Sequence, residues 1–122
     1  MTAIVIFAHG SSVESANDAV RTVSKTVAAT GGFDLWETAF LEMGKPDLPA
    51  AVECLIARGA EKIVVLPYFL TAGIHLKRDL PRIVGEILES HKNITIEVTP
   101  PLDGHPALGQ ILLDRAKEVL QT

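Results

Sequence analysis

His9, Glu42 and His75 are the three side chains of this 122-residue chain whose types and settings point to chemistry. His9 follows the apolar run Ile4-Val-Ile-Phe-Ala8 and precedes Gly10-Ser11-Ser12, the pattern of a buried strand that ends by presenting an imidazole at a turn. His75 follows a second apolar run, Ile63-Val-Val-Leu66, across the stretch from Pro67 to Ile74. Glu42 comes after Ala39-Phe-Leu41 and before Met43-Gly44, another ionisable group at a strand end. Two imidazoles and a carboxylate suit a borderline divalent ion such as cobalt, nickel, iron or zinc. Near neutral pH an imidazole can also accept a proton, although one nitrogen cannot hold a metal and a proton together. The three residues are too far apart in sequence to form a local metal motif, so their grouping depends on the fold.

The elements that must position them alternate in type. Strands are expected over Thr2 to Ala8, Phe33 to Leu41, Ile63 to Leu66 and Asn93 to Thr99, the second nearer a sheet edge because it is less uniformly apolar. A first helix from about Ser15 to Ala29 turns Ala16, Val20, Val23 and Val27 inward and stops at Gly31-Gly32. A second, with Pro46 in its first turn, buries Leu48, Val52, Leu55 and Ile56 and ends at Gly59. The third covers His75 to Ser90 with Leu80, Ile83, Ile87 and Leu88 inward, and tolerates Pro81 only in its first turns. The last spans Pro106 to Leu120, with Ile111, Leu112, Val119 and Leu120 facing the core. This alternation predicts an α/β fold, a three-layer αβα sandwich around a four-stranded parallel sheet. Such sheets keep their chemistry at the C-terminal ends of the strands. His9, Glu42, the 67 to 75 loop and the 100 to 105 loop then emerge on one rim.

Length and composition fit one domain spanning residues 1–122. A net charge of -4 speaks against a nucleic-acid surface. No run approaches a transmembrane span, and the apolar N-terminus lacks the basic region of a signal peptide, so no membrane partner and a cytoplasmic location are expected. The single Cys54 lies in an apolar helical stripe and is expected in the core. Lys77, Arg78 and Arg82 follow His75 and could attract an anionic small molecule. Tyr68, Phe69 and Leu70 could wall a flat ligand or pack beneath it. Ser11 could cap the first helix or accept a ligand hydrogen bond. Asp79, four residues after His75, could orient that imidazole or pair with Lys77 or Arg82. His91 reads as solvated or helix-capping, His105 as a turn residue or a ligand contact, and Trp36 as core or interface. The Arg-His-Gly signature of histidine phosphatases is broken by Ala8 in the arginine's place, which removes the phosphate clamp. Glycine-rich phosphate loops and the Gly-x-Ser-x-Gly elbow are absent.

Four blocks, Phe7-Ala-His-Gly-Ser11, Phe40 to Pro49, Val65 to Pro81 and Pro101 to Leu108, resemble in content and order the small class II chelatases, the family of sirohydrochlorin cobaltochelatases and related iron and nickel chelatases. The resemblance implies a flavodoxin-like chelatase domain in which His9 and His75 match the two histidines that bind metal and assist insertion, with Glu42 at an acidic position beside them. It also implies no permanently bound cofactor, Co2+ (alternatively Fe2+ or Ni2+) as a substrate, a tetrapyrrole as the other substrate, and a homodimer that completes the cleft. On that reading Ser11, Tyr68, Phe69, Leu70, Lys77, Arg78 and Arg82 would contact the tetrapyrrole.

Overall fold

The computed structural model describes residues 1–121, the side chain of His75 excepted. Along the chain run β1 (Thr2–Ala8), α1 (Glu14–Gly31), β2 (Trp36–Phe40), α2 (Leu48–Ala57), β3 (Lys62–Pro67), α3 (Ile74–Ser90), β4 (Thr95–Val98) and α4 (Ala107–Leu120). The strands form one parallel sheet in the order β2-β1-β3-β4, bearing out the expected fold class and the edge position of the second strand. β1 is apolar on both sides because both its faces are covered. Ala3, Val5 and Phe7 pack with Ile63 and Val65 against α2 and α3. Ile4 and Ile6 point the other way, toward Val20 and Ala28 of α1. At the far end of β1 the Met1 ammonium pairs with Glu61 at 3.4 Å. Among the described residues no helix is long and apolar enough to cross a membrane.

Five expectations need correction. The buried face of α1 carries Asn17, Ser24 and Ala28, while Ala16 is exposed and Val27 is 38% exposed. Polar residues occupy that face because each finds a partner: the Thr38 hydroxyl donates to Ser24 Oγ at 2.7 Å, and Ser24 donates to the Val20 carbonyl at 3.0 Å. Pro46 precedes α2, whose N-cap is Asp47, accepting from the Ala50 amide at 3.0 Å, and Pro49 takes the first turn. Cys54 is exposed, its Sγ 3.9 Å from Glu37 Oε2, since it falls with Glu53 between the buried Val52 and Leu55 and turns away from the face they share. Pro81 lies in the interior of α3 rather than its first turns, where it removes the hydrogen bond that the Lys77 carbonyl would otherwise accept. The fifth is the largest. α4 forms over the expected span but buries no residue, and Leu112, Val119 and Leu120 are 71%, 76% and 78% exposed. The segment before it is pinned to the β3–α3 loop, with the Leu102 amide donating to the Phe69 carbonyl and the Asp103 amide to the Leu70 carbonyl. That attachment turns the chain along the rim and away from the sheet's own core.

Candidate active site

Parallel pairing brings the first two functional residues together. Ala8 is registered with Phe40, and the ladder continues past both strands, the Leu41 amide donating to the Ala8 carbonyl at 2.9 Å and the Glu42 amide to the His9 carbonyl at 3.0 Å. The approach is close enough that a Cβ on Gly10, whose φ is +94°, would run into the Glu42 carbonyl. Glycine is therefore required on steric grounds and on conformational ones. Above this contact His9 Nε2 lies 3.2 Å from Glu42 Oε1, both side chains about half exposed (55% and 56%). His9 Nδ1 is 3.1 Å from the Gly10 carbonyl oxygen. A carbonyl only accepts, and so does an ionised carboxylate, so a ring proton is satisfied at either nitrogen; with the proton of a neutral ring at Nδ1, the Nε2 lone pair is left for another partner. The position between Nε2 and the carboxylate can be filled by a proton or by a metal ion, one at a time.

Asn17, which apolar periodicity overlooks, fastens the surrounding loops. It is 1% exposed; its Oδ1 accepts from the Ser11 amide at 2.9 Å, and its Nδ2 donates to the Ser11 carbonyl at 2.9 Å and the Met43 carbonyl at 3.1 Å. It thereby ties the loop carrying His9 to the loop carrying Glu42. The available signal is its spacing with Val20, Ser24 and Ala28 on one helical face. Beside it, the Arg21 guanidinium, at 2.6 Å, and the Asn17 amide hold the Glu14 carboxyl below its ordinary range. Glu14 in turn raises the Arg21 pKa.

A cleft of about 480 Å³ opens on this rim, with His9, Leu41 and Glu42 on one wall, Phe69 and Gly73 from the β3–α3 loop, and Leu76 and Asp79 from α3. Phe69 is braced against Phe7, ring centroids 6.2 Å apart. Tyr68 and Leu70, on the same loop, are 40% and 68% exposed. The backbone of His75 stands in the first turn of α3, directly after the Gly73–Ile74 step, and its side chain lies outside the described residues. Asp79 pairs with Arg78 at 3.2 Å and approaches Arg82 at 4.0 Å, and Arg82 also reaches Glu86 at 3.1 Å. Lys77 borders an adjoining apolar groove between α3 and the end of β4. Ser11 Oγ accepts from the Val13 amide at 3.0 Å and so shapes the turn into α1. His91 approaches Glu53 at 3.8 Å, and His105 Nδ1 accepts from the Ala107 amide at 3.0 Å, a turn role at the start of α4. Among the described residues no three metal-ligating side chains converge.

An imidazole and a carboxylate thus meet at the strand-end cleft of a parallel α/β domain. The chain belongs to the CbiX family, whose model matches residues 3–119. Sirohydrochlorin cobaltochelatase of Methanopyrus kandleri is 31% identical over 98% of this chain and 98% of its own length. The protein of the same name from Saccharolobus islandicus (strain L.S.2.15 / Lassen #1) is 34% identical over 97% of this chain and 95% of its own. Among solved structures, a protein of Marinobacter aquaeolei VT8 described as a cobalamin (vitamin B12) biosynthesis CbiX protein superposes with a TM-score of 0.86 at 28% identity, over 99% of this chain and 98% of that one. The sirohydrochlorin chelatase SirB from Bacillus subtilis subspecies spizizenii, in complex with cobalt, shares the fold with a TM-score of 0.90 at 24% identity, over 97% of this chain and 50% of that one.

Proposed function

We propose that this chain is a sirohydrochlorin cobaltochelatase, a cytoplasmic enzyme of cobalamin biosynthesis that works as one chelatase domain. The observation that carries the reading is the His9 Nε2 to Glu42 Oε1 approach of 3.2 Å at the open cleft. Insertion exchanges the water ligands of Co2+ for ring nitrogens while the two inner N–H protons leave the macrocycle. The Nε2 lone pair of His9 takes the incoming ion, and the imidazole of His75 serves as its second ligand. Once the ion passes to the ring nitrogens, Nε2 is free again. It and the Glu42 carboxylate then supply two acceptors for two protons, which closes the balance.

Phe69 meets the ring face from within the cleft, and Tyr68 and Leu70 extend that apolar wall outward. Arg78, Arg82 and Lys77 on α3 pair with carboxylates at the macrocycle's edge, and Ser11 donates to another. A macrocycle is broader than the loops of one small domain can enclose, so a second copy supplies the missing wall and the working unit is a homodimer.

The test is anaerobic insertion into sirohydrochlorin with Co(II), Fe(II) and Ni(II) in direct competition. Cobalt is expected to win, and His9→Ala to lower the rate at least about 100-fold; a normal rate in that variant would overturn the assignment. Neutralising Lys77, Arg78 and Arg82 together is expected to weaken tetrapyrrole binding and flatten its dependence on salt.

A further inference from the structure

Met43, the residue after Glu42, has φ at +53°, in the left-handed region, and among the described residues it is the one non-glycine with a positive φ. A side chain is tolerated there only at a cost, so such a residue persists where its surroundings hold it, and residues of this kind gather at functional sites. Burial of the Met43 side chain does not hold it, since that residue is 53% exposed. Its carbonyl is held instead, by Asn17 Nδ2, which donates to it at 3.1 Å.

The loop after Met43 closes over the same amide. A Cβ on Gly44 would sit 3.1 Å from Asn17 Nδ2 and 2.8 Å from the Phe40 ring, so a larger residue would push the backbone off both. One turn along α1 from Asn17, Arg21 donates to the Lys45 carbonyl at 3.1 Å, its guanidinium 5.1 Å from the centroid of the Phe40 ring. On the facing loop Asn17 grips the amide and the carbonyl of Ser11, both at 2.9 Å. With Glu14 Oε2 at 3.3 Å as a third acceptor, the hydrogen-bonding capacity of the side chain is fully used. An apolar residue at this buried position would need no partners at all. The bonds that Asn17 makes fall two residues past His9 and one past Glu42, while Asn17 itself does not line the cleft.

We propose that Asn17 is a positioning residue for the His9–Glu42 pair, setting their separation from behind the rim by holding Met43 in its left-handed conformation and Ser11 in its turn. The left-handed step ends the extended path of the chain directly after Glu42. It thereby keeps that carboxylate over the Gly10 contact, 3.2 Å from His9 Nε2. Released from Asn17, Met43 would relax to negative φ and carry Glu42 away from the imidazole. A misplacement of about 1 Å is enough to cost on the order of 100-fold in rate. The part of the inference that concerns insertion rests on the chelatase reading above; the positioning itself rests on the hydrogen bonds and the Met43 backbone.

Imidazole 1H–15N NMR of the full chain reads the His9–Glu42 contact without any turnover, with His9→Ala assigning the resonances. Glu42→Gln is expected to move the His9 ring signals, and Asn17→Ala to move them in the same direction. Adding Met43→Gly to Asn17→Ala should return them partway, because glycine takes a positive φ without penalty. In the cobalt insertion assay Asn17→Ala should lower kcat by about 10- to 100-fold with KM for sirohydrochlorin nearly unchanged. Met43→Gly should then recover about 5- to 30-fold, the population cost of a left-handed residue that is not glycine. Met43→Val, an exposed β-branched substitution, strains the same step without opening a buried site, and carries the test should Asn17→Ala not fold; it too should move the His9 signals. His9 signals indifferent to Asn17→Ala or to Met43→Val, or a kcat loss that Met43→Gly does not relieve, would overturn the proposal. An unaltered chain that inserts no metal while its His9 signals respond as expected would sink the chelatase reading and leave the positioning role standing.

Discussion

Gly10 sets the distance between His9 and Glu42 through the main chain, so its substitution separates geometry from chemistry. Gly10→Ala combines a positive φ with a collision at the Glu42 carbonyl and is expected to cost about 2–4 kcal/mol by urea denaturation. Glu42→Gln keeps the shape and removes a proton acceptor; insertion should slow by about 10- to 100-fold with little change in stability. Glu14 carries the pH prediction. Its carboxyl pKa is lowered below 4.5 in the folded chain, so its contribution is fully present above that value and is lost as pH falls through the lower folded one. Glu14→Gln should therefore show a slightly shallower loss of stability below pH 4.5 in acid titrations followed by circular dichroism. His9 and Glu42 were legible in the sequence because an apolar run broken by an ionisable residue marks a strand end. Asn17 was not, because a buried polar residue is recognisable only once its partners, Ser11 and Met43, have been brought alongside.

Elements were legible to the extent that their apolar faces are uniform. β1 and β3 follow their apolar runs closely, whereas α1 rotates its buried face toward Ser24. The Ser24–Thr38 pair joining α1 to β2 provides a measurable example. Ser24→Ala alone leaves the Thr38 hydroxyl buried without its acceptor and is expected to cost about 1–3 kcal/mol, while Ser24→Ala combined with Thr38→Val should recover most of that loss in a double-mutant cycle. α4 exposes a different limit. Its helical period was correct and its destination wrong, since periodicity reports which side of a helix is apolar and says nothing about which chain will cover it.

For the molecule as a whole, the uneven cover of the sheet links folding to assembly. In the proposed homodimer, stability includes a concentration term. Thermal unfolding should then move to higher temperature as protein concentration rises, readable by differential scanning calorimetry. The one-rim arrangement was legible from the alternation of strands and helices; the unfilled groove was not, because it arises from where Pro101 and Leu102 are held in space. The Met1–Glu61 end of β1 has a practical consequence as well. Seven residues of strand separate it from His9, about 23 Å of rigid backbone. A bead, electrode or fluorophore attached at the amino terminus would sit at the opposite pole from the cleft, presenting every immobilised copy mouth outward.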